Sequence, residues 1–325
     1  MLTENAFDAA YKFCYSFLKL LPEQYAIPLG KGIYKRLPHI LIPETEIHWP
    51  GHERKIVDVT FYNPLILGSY YSEPWMWDVA FHTGFGGVAT KTTTHNARKG
   101  AAHPRVVRLR NGFVNCESYP NPGGKEMARR IKEFNKVYNG DGILVASIAG
   151  TAREIEEIVS ESDPHVKCFE LNISSPNYML TDELYRNPNT LEDLFRVMEK
   201  SRKPTLVKLA RGYEEENNSF VILLGLKYGI RAYHYGNTQP VIDSRLSAGR
   251  GGYSGPDLFK GTMENIIKMR KKFGKDIILI AGGGIDSAER AERALEYADF
   301  LAYLSAFITK GPTLPRKIKR RIIGA

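Results

Sequence analysis

The stretch Val166-Lys-Cys-Phe-Glu-Leu-Asn-Ile-Ser-Ser-Pro-Asn177 decides how the rest of the chain is interpreted. Its first half is mostly apolar or aromatic and predicts a short buried strand. Its second half, from Ser174 onward, is a turn-rich exit from that strand. Asn172 and Asn177 offer amide donors and acceptors that suit a planar, imide-like ligand, and a hydroxyl between them can move a proton. Alone, this composition is more typical of a helix cap and a turn, so a functional interpretation depends on the other strands.

Seven similar apolar runs flank this strand, and helical patterns alternate with them. Strand and helix repeated eight times over about 250 residues predict a (β/α)8 TIM barrel of the α/β class. The predicted strands are residues 64–68, 87–90, 143–148, 167–171, 205–209, 231–235, 276–280 and 300–304. The predicted helices between them are residues 73–82, 124–138, 152–160, 191–201, 214–228, 259–273 and 286–297.

Two kinds of segment lie outside this repeat. Strands 47–49 and 56–61 around Gly51 predict one β-hairpin, and strands 106–109 and 113–116 around Asn111-Gly112 predict a second. An amphipathic helix over residues 4–21 and a shorter one reaching about Arg36 precede them. We therefore expect an N-terminal helical extension (residues 1–45) followed by one barrel domain (residues 46–325). The aromatic face of the extension fits packing on the barrel and also a membrane interface.

Composition restricts the class of protein. Hydrophobic residues make up 43% and charged residues 25%, which is ordinary for a globular chain. No apolar run approaches the roughly 20 residues of a membrane span, and the N-terminus lacks a signal-peptide pattern. The three cysteines, Cys14, Cys116 and Cys168, are widely spaced and odd in number, which favours a reducing, cytoplasmic compartment and no cysteine metal site. The net charge of +9 permits an anionic substrate, a phosphate, an acidic lipid surface or RNA.

Polar residues cluster where the predicted strands end, which is where TIM barrels carry their chemistry. Gly282-Gly-Gly-Ile285 precedes a helix and suits a phosphate at a helix N-terminus. Lys91 and Lys208 end apolar strands, and a buried lysine there favours an anion or a ring that becomes anionic. A phosphate, a cation beside an electron-rich ring and an amide-lined pocket together suggest a flavin barrel.

Short motifs occur in order at these strand ends. They are Asn63-Pro-Leu, Thr90-Lys-Thr-Thr93, Asn115 with Pro120-Asn121, Asn172-Ile-Ser-Ser-Pro-Asn177, Val207-Lys-Leu209, Asn237-Thr238, Gly251-Gly-Tyr-Ser-Gly255 and Gly282-Gly-Gly-Ile285. In this order they resemble the dihydroorotate dehydrogenase family, the flavin enzymes of pyrimidine synthesis. The resemblance covers most of the chain, from about Asn63 to Pro312. It implies a barrel that binds FMN and oxidises dihydroorotate to orotate in UMP biosynthesis.

The resemblance also implies roles for individual residues. Ser175 stands where the family has its catalytic base, which is Cys in class 1 members and Ser in class 2 members. Lys208 corresponds to the lysine beside the flavin N1 edge, where negative charge develops on reduction. The implied substrate ligands are Lys91, Asn115, Asn172, Asn177, Asn237 and Thr238. The implied FMN ligands are Ser69, Lys91, Asn172, Lys208, Gly255, Gly283, Gly284, Leu304 and Ser305.

The chain departs from the family pattern in its substrate loop, where Glu117-Ser118 replaces Met-Gly. A carboxylate repels an anionic substrate, so we expect either that Glu117 points away or that the substrate differs. The Thr-Lys-Thr segment is in class 1 style, whereas Ser175 and the final 307–312 segment resemble class 2. The N-terminal helices resemble the class 2 extension, which docks at the membrane and forms a quinone tunnel. They favour quinone as the acceptor and allow peripheral contact with the cytoplasmic face of a membrane.

Three alternatives remain open from the sequence. The first is the same reaction with a redox partner subunit as acceptor. The second is a flavin barrel that reduces uridine in transfer RNA, but neither Cys116 nor Cys168 occupies the acid position and no RNA-binding helical domain is visible. The third is a barrel without chemistry that binds a nucleotide or another subunit. We expect no nucleic-acid partner.

Overall fold

The structure is a computed structural model that describes residues 4–36, 44–176, 180–213 and 215–324. Its strands are β1 (Arg54–Ile56), β2 (Val59–Phe61), β3 (Leu65–Leu67), β4 (Gly87–Ala89), β5 (Val106–Leu109), β6 (Gly112–Asn115), β7 (Ile143–Ile148), β8 (Cys168–Asn172), β9 (Thr205–Leu209), β10 (Ala232–Tyr235), β11 (Gln239–Ile242), β12 (Arg250–Ser254), β13 (Ile278–Gly282) and β14 (Phe300–Tyr303). Its helices are α1 (Glu4–Leu18), α2 (Glu23–Arg36), α3 (Pro74–His82), α4 (Gly124–Val137), α5 (Ala152–Ser162), α6 (Leu180–Arg186), α7 (Pro188–Ser201), α8 (Glu215–Lys227), α9 (Phe259–Phe273), α10 (Ala288–Leu295), α11 (Ser305–Lys310) and α12 (Leu314–Ile323).

Eight strands form a closed barrel in the order β3-β4-β7-β8-β9-β10-β13-β14, and β14 pairs back with β3. Every pair in the barrel is parallel. Each of the eight predicted strands overlaps one of these strands, so the TIM-barrel prediction is confirmed. The largest shift is in β13, which ends at Gly282 where the sequence predicted an end at residue 280. The first glycine of that loop therefore belongs to the strand.

Side chains of the barrel strands alternate between two apolar layers because successive residues of a strand point to opposite faces. In β7, Ile143 and Val145 belong to the layer inside the barrel, whereas Leu144 and Ala146 pack against the surrounding helices. Every residue of β7 is buried, as expected for a parallel sheet covered on both sides.

The β1–β2 hairpin closes the end of the barrel where the strands begin. Ile56 and Phe61 are fully buried and pack with Ile143 and Phe300, each the first residue of its barrel strand. The Phe61 and Phe300 rings meet edge to face with centroids 5.1 Å apart. The polar residues are therefore left at the opposite end, where the strands finish.

This hairpin is not the one predicted from strands 47–49 and 56–61. Ile56 is paired with Val59, so the turn consists of Val57 and Asp58, not the region of Gly51. Val57 has φ 56°, an unfavourable angle for a β-branched residue. The chain reverses there because Ile56 and Phe61 are both buried against the barrel end. The β-branched run around Val57 resembles one continuous strand, which is why local propensity missed the turn.

Four further strands form an antiparallel sheet in the order β11-β12-β6-β5. The β5–β6 hairpin was predicted, with its turn one residue too late, since Leu109 pairs with Gly112. Strand β12 was not predicted because it contains a glycine pair, and β11 was not predicted because it contains Pro240; both features are rare in strands. A side chain at Gly252 would overlap Thr238, so this strand can approach its neighbours only as glycine.

Helix α1 packs against the last helices of the chain, whereas α2 contacts Glu73 and His103 through Lys31 and Glu23. Asp8 accepts a hydrogen bond from Thr313 and pairs with Lys317, and Tyr11 donates to the carbonyl of Ile308 at 2.6 Å. The predicted apolar face of α1 is only partly buried, since Phe17 is 56% exposed. Polar contacts at Asp8 and the packing of Phe7 on Val79, not the whole apolar stripe, hold the helix in place. Over the described ranges, no helix is long and apolar enough to cross a membrane.

Candidate active site

The polar strand ends surround one cavity of about 660 Å³ at the carboxyl end of the barrel. Every predicted site residue that the structure describes lines it. These residues are Ser69, Lys91, Asn115, Asn172, Ser175, Lys208, Asn237, Thr238, Gly255, Gly283, Gly284, Leu304 and Ser305. Asn177, the remaining predicted substrate ligand, lies outside the described residues. The assembly follows from topology, because parallel strands of a barrel finish at the same end.

Asn172 and Asn237 are linked through Ser174. The Ser174 hydroxyl donates to Asn172 Oδ1 at 2.7 Å, and Asn237 Nδ2 donates to Ser174 Oγ at 2.6 Å. Asn172 Nδ2 also donates to Thr92 Oγ1 at 2.9 Å. These bonds fix the orientation of two amides on one wall of the cavity. Ser174 was not predicted as a site residue, although it lies between the two amides that were.

Ser175 follows immediately and lines the same cavity. Its carbonyl oxygen accepts a hydrogen bond from Thr181 Oγ1 at 2.9 Å, which ties the loop after β8 to α6. Ser175 is only 7% exposed, so its side chain is withdrawn from bulk water. Asn115 reaches the cavity from β6, where its Nδ2 donates to the carbonyl of Gly252 in β12 at 3.3 Å.

A buried network of charged and polar side chains, centred on Glu170, lies inside the barrel beneath the cavity. Glu170 points to the same side of β8 as Asn172, since the two residues are two positions apart. Its carboxylate accepts from Ser147 Oγ at 2.8 Å and contacts His234 Nδ1 at 3.0 Å. Burial alone raises the pKa of Glu170, but Lys208, His234 and Ser147 outweigh it and lower the pKa to about 2. Burial lowers the pKa of His234, so we treat this histidine as neutral.

Lys208 carries the positive charge opposite Glu170. It is 8% exposed, lines the cavity, and donates to Ser69 Oγ at 3.3 Å. A lysine in this position is stabilised by the buried Glu170 carboxylate on one side and is open to an anionic ring on the other. Glu170 and His234 were not predicted as site residues. The signal was present as a charged residue inside an apolar strand, two positions before Asn172.

Lys91 is paired inside the cavity, and its partner is Glu117. Lys91 Nζ lies 2.6 Å from Glu117 Oε2, and the ammonium group lies 4.7 Å from the centre of the Tyr70 ring. Burial alone raises the pKa of Glu117, but Lys91 outweighs it, with help from Arg105 and Lys31, and the pKa is lowered. Of the two alternatives expected for Glu117, the one in which it points away from the site is therefore wrong, and the one in which the substrate differs stays a prediction. Glu117 turns inward because Lys91 is the buried cation nearest to it.

Arg211 holds together two segments of backbone beside the cavity. Its guanidinium donates to the carbonyls of Asn237 and Gly282, each at 2.7 Å, and lies over the Tyr235 ring at 4.8 Å. These contacts join the loops after β10 and β13. Gly283 has φ 96°, and a side chain there would overlap Arg211. The glycine loop is thus required by packing as well as by any phosphate it holds.

The family profile described as dihydroorotate dehydrogenase matches residues 52–324. The chain belongs to the dihydroorotate dehydrogenase family. The predicted family and the predicted oxidoreductase class are thereby confirmed, and the transfer-RNA alternative is not favoured. Membership of this family implies a flavin cofactor. The assignment to the serine-base type stays a prediction.

Relatives in this family differ in the acceptor that their names give. The chain is 28% identical over 310 residues to the dihydroorotate dehydrogenase (quinone) of Nocardioides sp., covering 84% of this chain and 86% of the relative. It is 30% identical over 288 residues to the dihydroorotate dehydrogenase B (NAD(+)) catalytic subunit of Pyrococcus horikoshii, covering 83% and 91%. The sequence identities to these two relatives therefore do not distinguish between quinone and NAD as the acceptor.

The fold also matches a solved structure. A crystal structure of the Eimeria tenella DHODH in complex with ferulenol superposes with a TM-score of 0.81. The match covers 93% of this chain and 91% of that chain at 18% sequence identity. At this identity, the comparison shows that the TIM-barrel fold is shared.

Proposed function

We propose that this protein oxidises dihydroorotate to orotate with FMN as its cofactor, in pyrimidine synthesis. The observation that carries the proposal is the set of three amides, one serine and two buried lysines around a single cavity, in a chain of the dihydroorotate dehydrogenase family. Asn115, Asn172 and Asn237 supply paired donors and acceptors for the edges of a cyclic ureide. Asn177 is proposed as a fourth substrate ligand.

The residues around the cavity fit FMN. Lys208 is a buried cation whose neighbours leave one side of the ammonium facing the cavity, which suits a ring that gains negative charge. Gly255, Gly283 and Gly284 present backbone without side chains to the cavity, and Ser305 adds a hydroxyl at the start of α11. These groups are proposed to hold the phosphate and Lys208 to face the ring. When bound, FMN supplies the acceptor for the hydride of the substrate.

The proposed work of the chain is to orient the ring and to move one proton. The amides hold the pyrimidine so that its C5 hydrogen faces Ser175, which takes that proton. A serine hydroxyl is a weak base at neutral pH, so its activation depends on the pocket around it. The low exposure of Ser175 excludes bulk water from the proton it receives. Lys208, which is paired in register with Asn172, stabilises negative charge that develops on the ring beside it.

Quinone is the acceptor we propose. The cavity continues from Lys208 to the N-terminal helices, where Tyr11, Tyr15 and Ile27 line it. On the outer surface, Phe13 of α1 is 77% exposed, and Leu20 in the turn between the two helices is 80% exposed. Lys12 and Lys19 line the same end of the cavity, and a mixed aromatic and basic entrance beside exposed apolar side chains suits an acceptor that partitions into lipid. We accordingly propose that residues 1–45 form an extension that contacts the cytoplasmic face of a membrane peripherally, attached to an FMN-binding barrel of residues 46–325.

The test is anaerobic mixing of the flavin-loaded protein with dihydroorotate, followed by separate reoxidation with quinone, fumarate and NAD. Dihydroorotate is expected to bleach the flavin absorbance, and quinone is expected to restore it fastest. Absence of bleaching by dihydroorotate contradicts the proposed reaction. Faster recovery with NAD, or recovery only after a partner subunit is added, contradicts the proposed acceptor and leaves the first half-reaction standing.

A further inference from the structure

The two buried lysines of the cavity are not equivalent. Lys91 and Lys208 are each 8% exposed, whereas the other cavity-lining lysines that the structure describes are more exposed. Lys208 faces a carboxylate, Glu170, that lies inside the barrel and does not line the cavity. Lys91 is paired with a carboxylate that does line it, Glu117, at 2.6 Å. The charge that Lys91 offers to a ligand is therefore already compensated within the cavity.

The pair occupies the part of the cavity next to the amides. Lys91 precedes Thr92, the acceptor of the Asn172 amide, and the backbone N–H of Glu117 lies 3.5 Å from Asn115 Oδ1. A carboxyl-bearing ring held by Asn115 and Asn172 consequently lies within reach of both charges. A ligand carboxylate that turns to Lys91 meets the like charge of Glu117, and like charges in contact in a poorly solvated site repel strongly.

The backbone of Glu117 is held in place, so the carboxylate is a built feature of the cavity. Its carbonyl oxygen accepts from the N–H of Ala101 at 3.0 Å, and Gly100 packs against the same carbonyl. Lys31, another cation lining the cavity, is also engaged, since its Nζ lies 2.6 Å from Glu73 Oε1. An anionic ligand therefore finds both of these lysines paired with carboxylates.

We propose that Glu117 competes with the ligand's carboxylate for Lys91, so that the pocket binds carboxyl-bearing pyrimidines more weakly than it would with a neutral side chain at this position. This inference rests on the proposed function, because it concerns how the same pocket treats dihydroorotate and orotate. The ring is held by the amides whether or not it carries a carboxylate. Glu117 lowers the affinity only for the acidic ring.

The test compares orotate with uracil, which has the same ring without the carboxylate, in calorimetric titrations of the flavin-loaded protein. Glu117→Gln keeps the shape and an acceptor for Lys91 while removing the negative charge. It is expected to raise the orotate affinity by about tenfold or more and to change the uracil affinity by less than about twofold. In the double variant Glu117→Gln with Lys91→Met, the gain for orotate is expected to disappear.

Glu73→Gln is the matched control, because it also frees a cavity-lining lysine from a carboxylate 2.6 Å away but Glu73 itself does not line the cavity. An equal gain in this control, an equal gain for uracil, or no gain for orotate in Glu117→Gln overturns the proposal. Flavin bleaching by dihydroorotate is measured on the same samples. If bleaching fails while the orotate gain appears, the proposed function is wrong and the role of Glu117 stands.

Discussion

At the scale of single residues, Glu170 shows how a buried charge is kept ionised. Its carboxylate lies between Ser147, His234 and Lys208 inside the barrel. Burial alone favours the neutral acid, yet the neighbouring cation and the two hydrogen bonds reverse the balance. The same interaction places a negative charge beside Lys208 at the cavity wall. Glu170 therefore acts on the site through Lys208 and has no contact with the ligand cavity itself.

We predict a pH-dependent cost for removing this carboxylate. Folding lowers the pKa of Glu170 from its ordinary value of 4.5 to about 2. The charged form consequently stabilises the fold above pH 4.5, and this contribution is lost as the pH falls from 4.5 toward 2. Glu170→Gln should be less stable than the native chain by about 3 kcal/mol at pH 7, with the difference shrinking by pH 3. Denaturant unfolding of both proteins across that range measures it, and a difference that is constant with pH contradicts it.

We predict that substituting Ser174 and Ser175 separately distinguishes ligand binding from proton transfer. Ser174 links Asn172 and Asn237, whereas Ser175 faces the cavity as the proposed base. Ser175→Ala is expected to retain FMN and orotate and to slow flavin reduction by roughly 10²- to 10⁴-fold.

Ser174→Ala, the neighbouring control, is expected to weaken orotate binding and to affect the reduction rate less, because two amides lose their common partner. Stopped-flow absorbance and ligand titration give both quantities. Flavin reduction at nearly the native rate in Ser175→Ala excludes this serine as the base.

At the scale of elements, the sheet that contains β6 and β12 explains how Asn115 enters the site. The pairing places Asn115 opposite Gly252, and β12 approaches Thr238 closely. The absence of a side chain at Gly252 therefore allows β12, the Asn115 amide and the substrate loop that follows it to lie close together. The Gly251-Gly252 pair belongs to a motif that the sequence marks only as glycine-rich.

We predict that Gly252→Ala disrupts the site more than the fold. Its new methyl group would overlap Thr238 and come within 3.3 Å of Pro176, so both loops must shift. Overpacking of this kind destabilises by about 1–3 kcal/mol, and orotate binding should weaken as well. Gly261→Ala in α9 is the control, since its methyl group meets nothing within 4 Å and should be neutral or slightly stabilising. Equal behaviour of the two variants in unfolding and titration contradicts the prediction.

At the scale of the whole molecule, the two ends of the described chain hold each other. Asp8 in α1 contacts Thr313 and Lys317, and Glu4 pairs with Arg320 at 2.9 Å. Arg108 in the β5–β6 hairpin donates to the carbonyl of Leu21 at 3.3 Å, which fixes the N-terminal helices over the cavity entrance. Access to the cavity thus depends on contacts that are remote from the amides.

We predict that Asp8→Ala loosens α1 and impairs the acceptor side of the reaction selectively. Thr313 and Lys317 lose a shared partner, and the cost should be about 1–3 kcal/mol of stability. Turnover with a long-chain quinone should fall more than turnover with a soluble dye. Glu133→Gln, which removes an exposed ion pair with Lys136 on α4, should change neither rate. An equal loss with both acceptors in Asp8→Ala would indicate a general folding role.

Much of the fold followed from local patterns. All eight barrel strands and most helices were predicted because the spacing of apolar residues within a short segment indicates its secondary structure, as in β7 and α9. The turn at Val57 and the strand at Gly251-Gly252 were missed because their local propensities oppose the observed conformation. Packing against the end of the barrel imposes the turn, and pairing with β6 imposes the strand. Both partners are distant in sequence.

The candidate site divides in the same way. The sequence by itself determined which polar residues end the strands. The barrel topology then brings Asn172, Lys208 and Asn237 to one cavity, and the pairing of β6 with β12 adds Asn115. Only the tertiary structure decided that Glu117 turns inward to Lys91 and that Lys208 and His234 stabilise the buried Glu170 carboxylate. The reason is physical: periodicity reports which face of an element is buried, whereas the partner of a buried charge depends on distances between elements far apart in the chain.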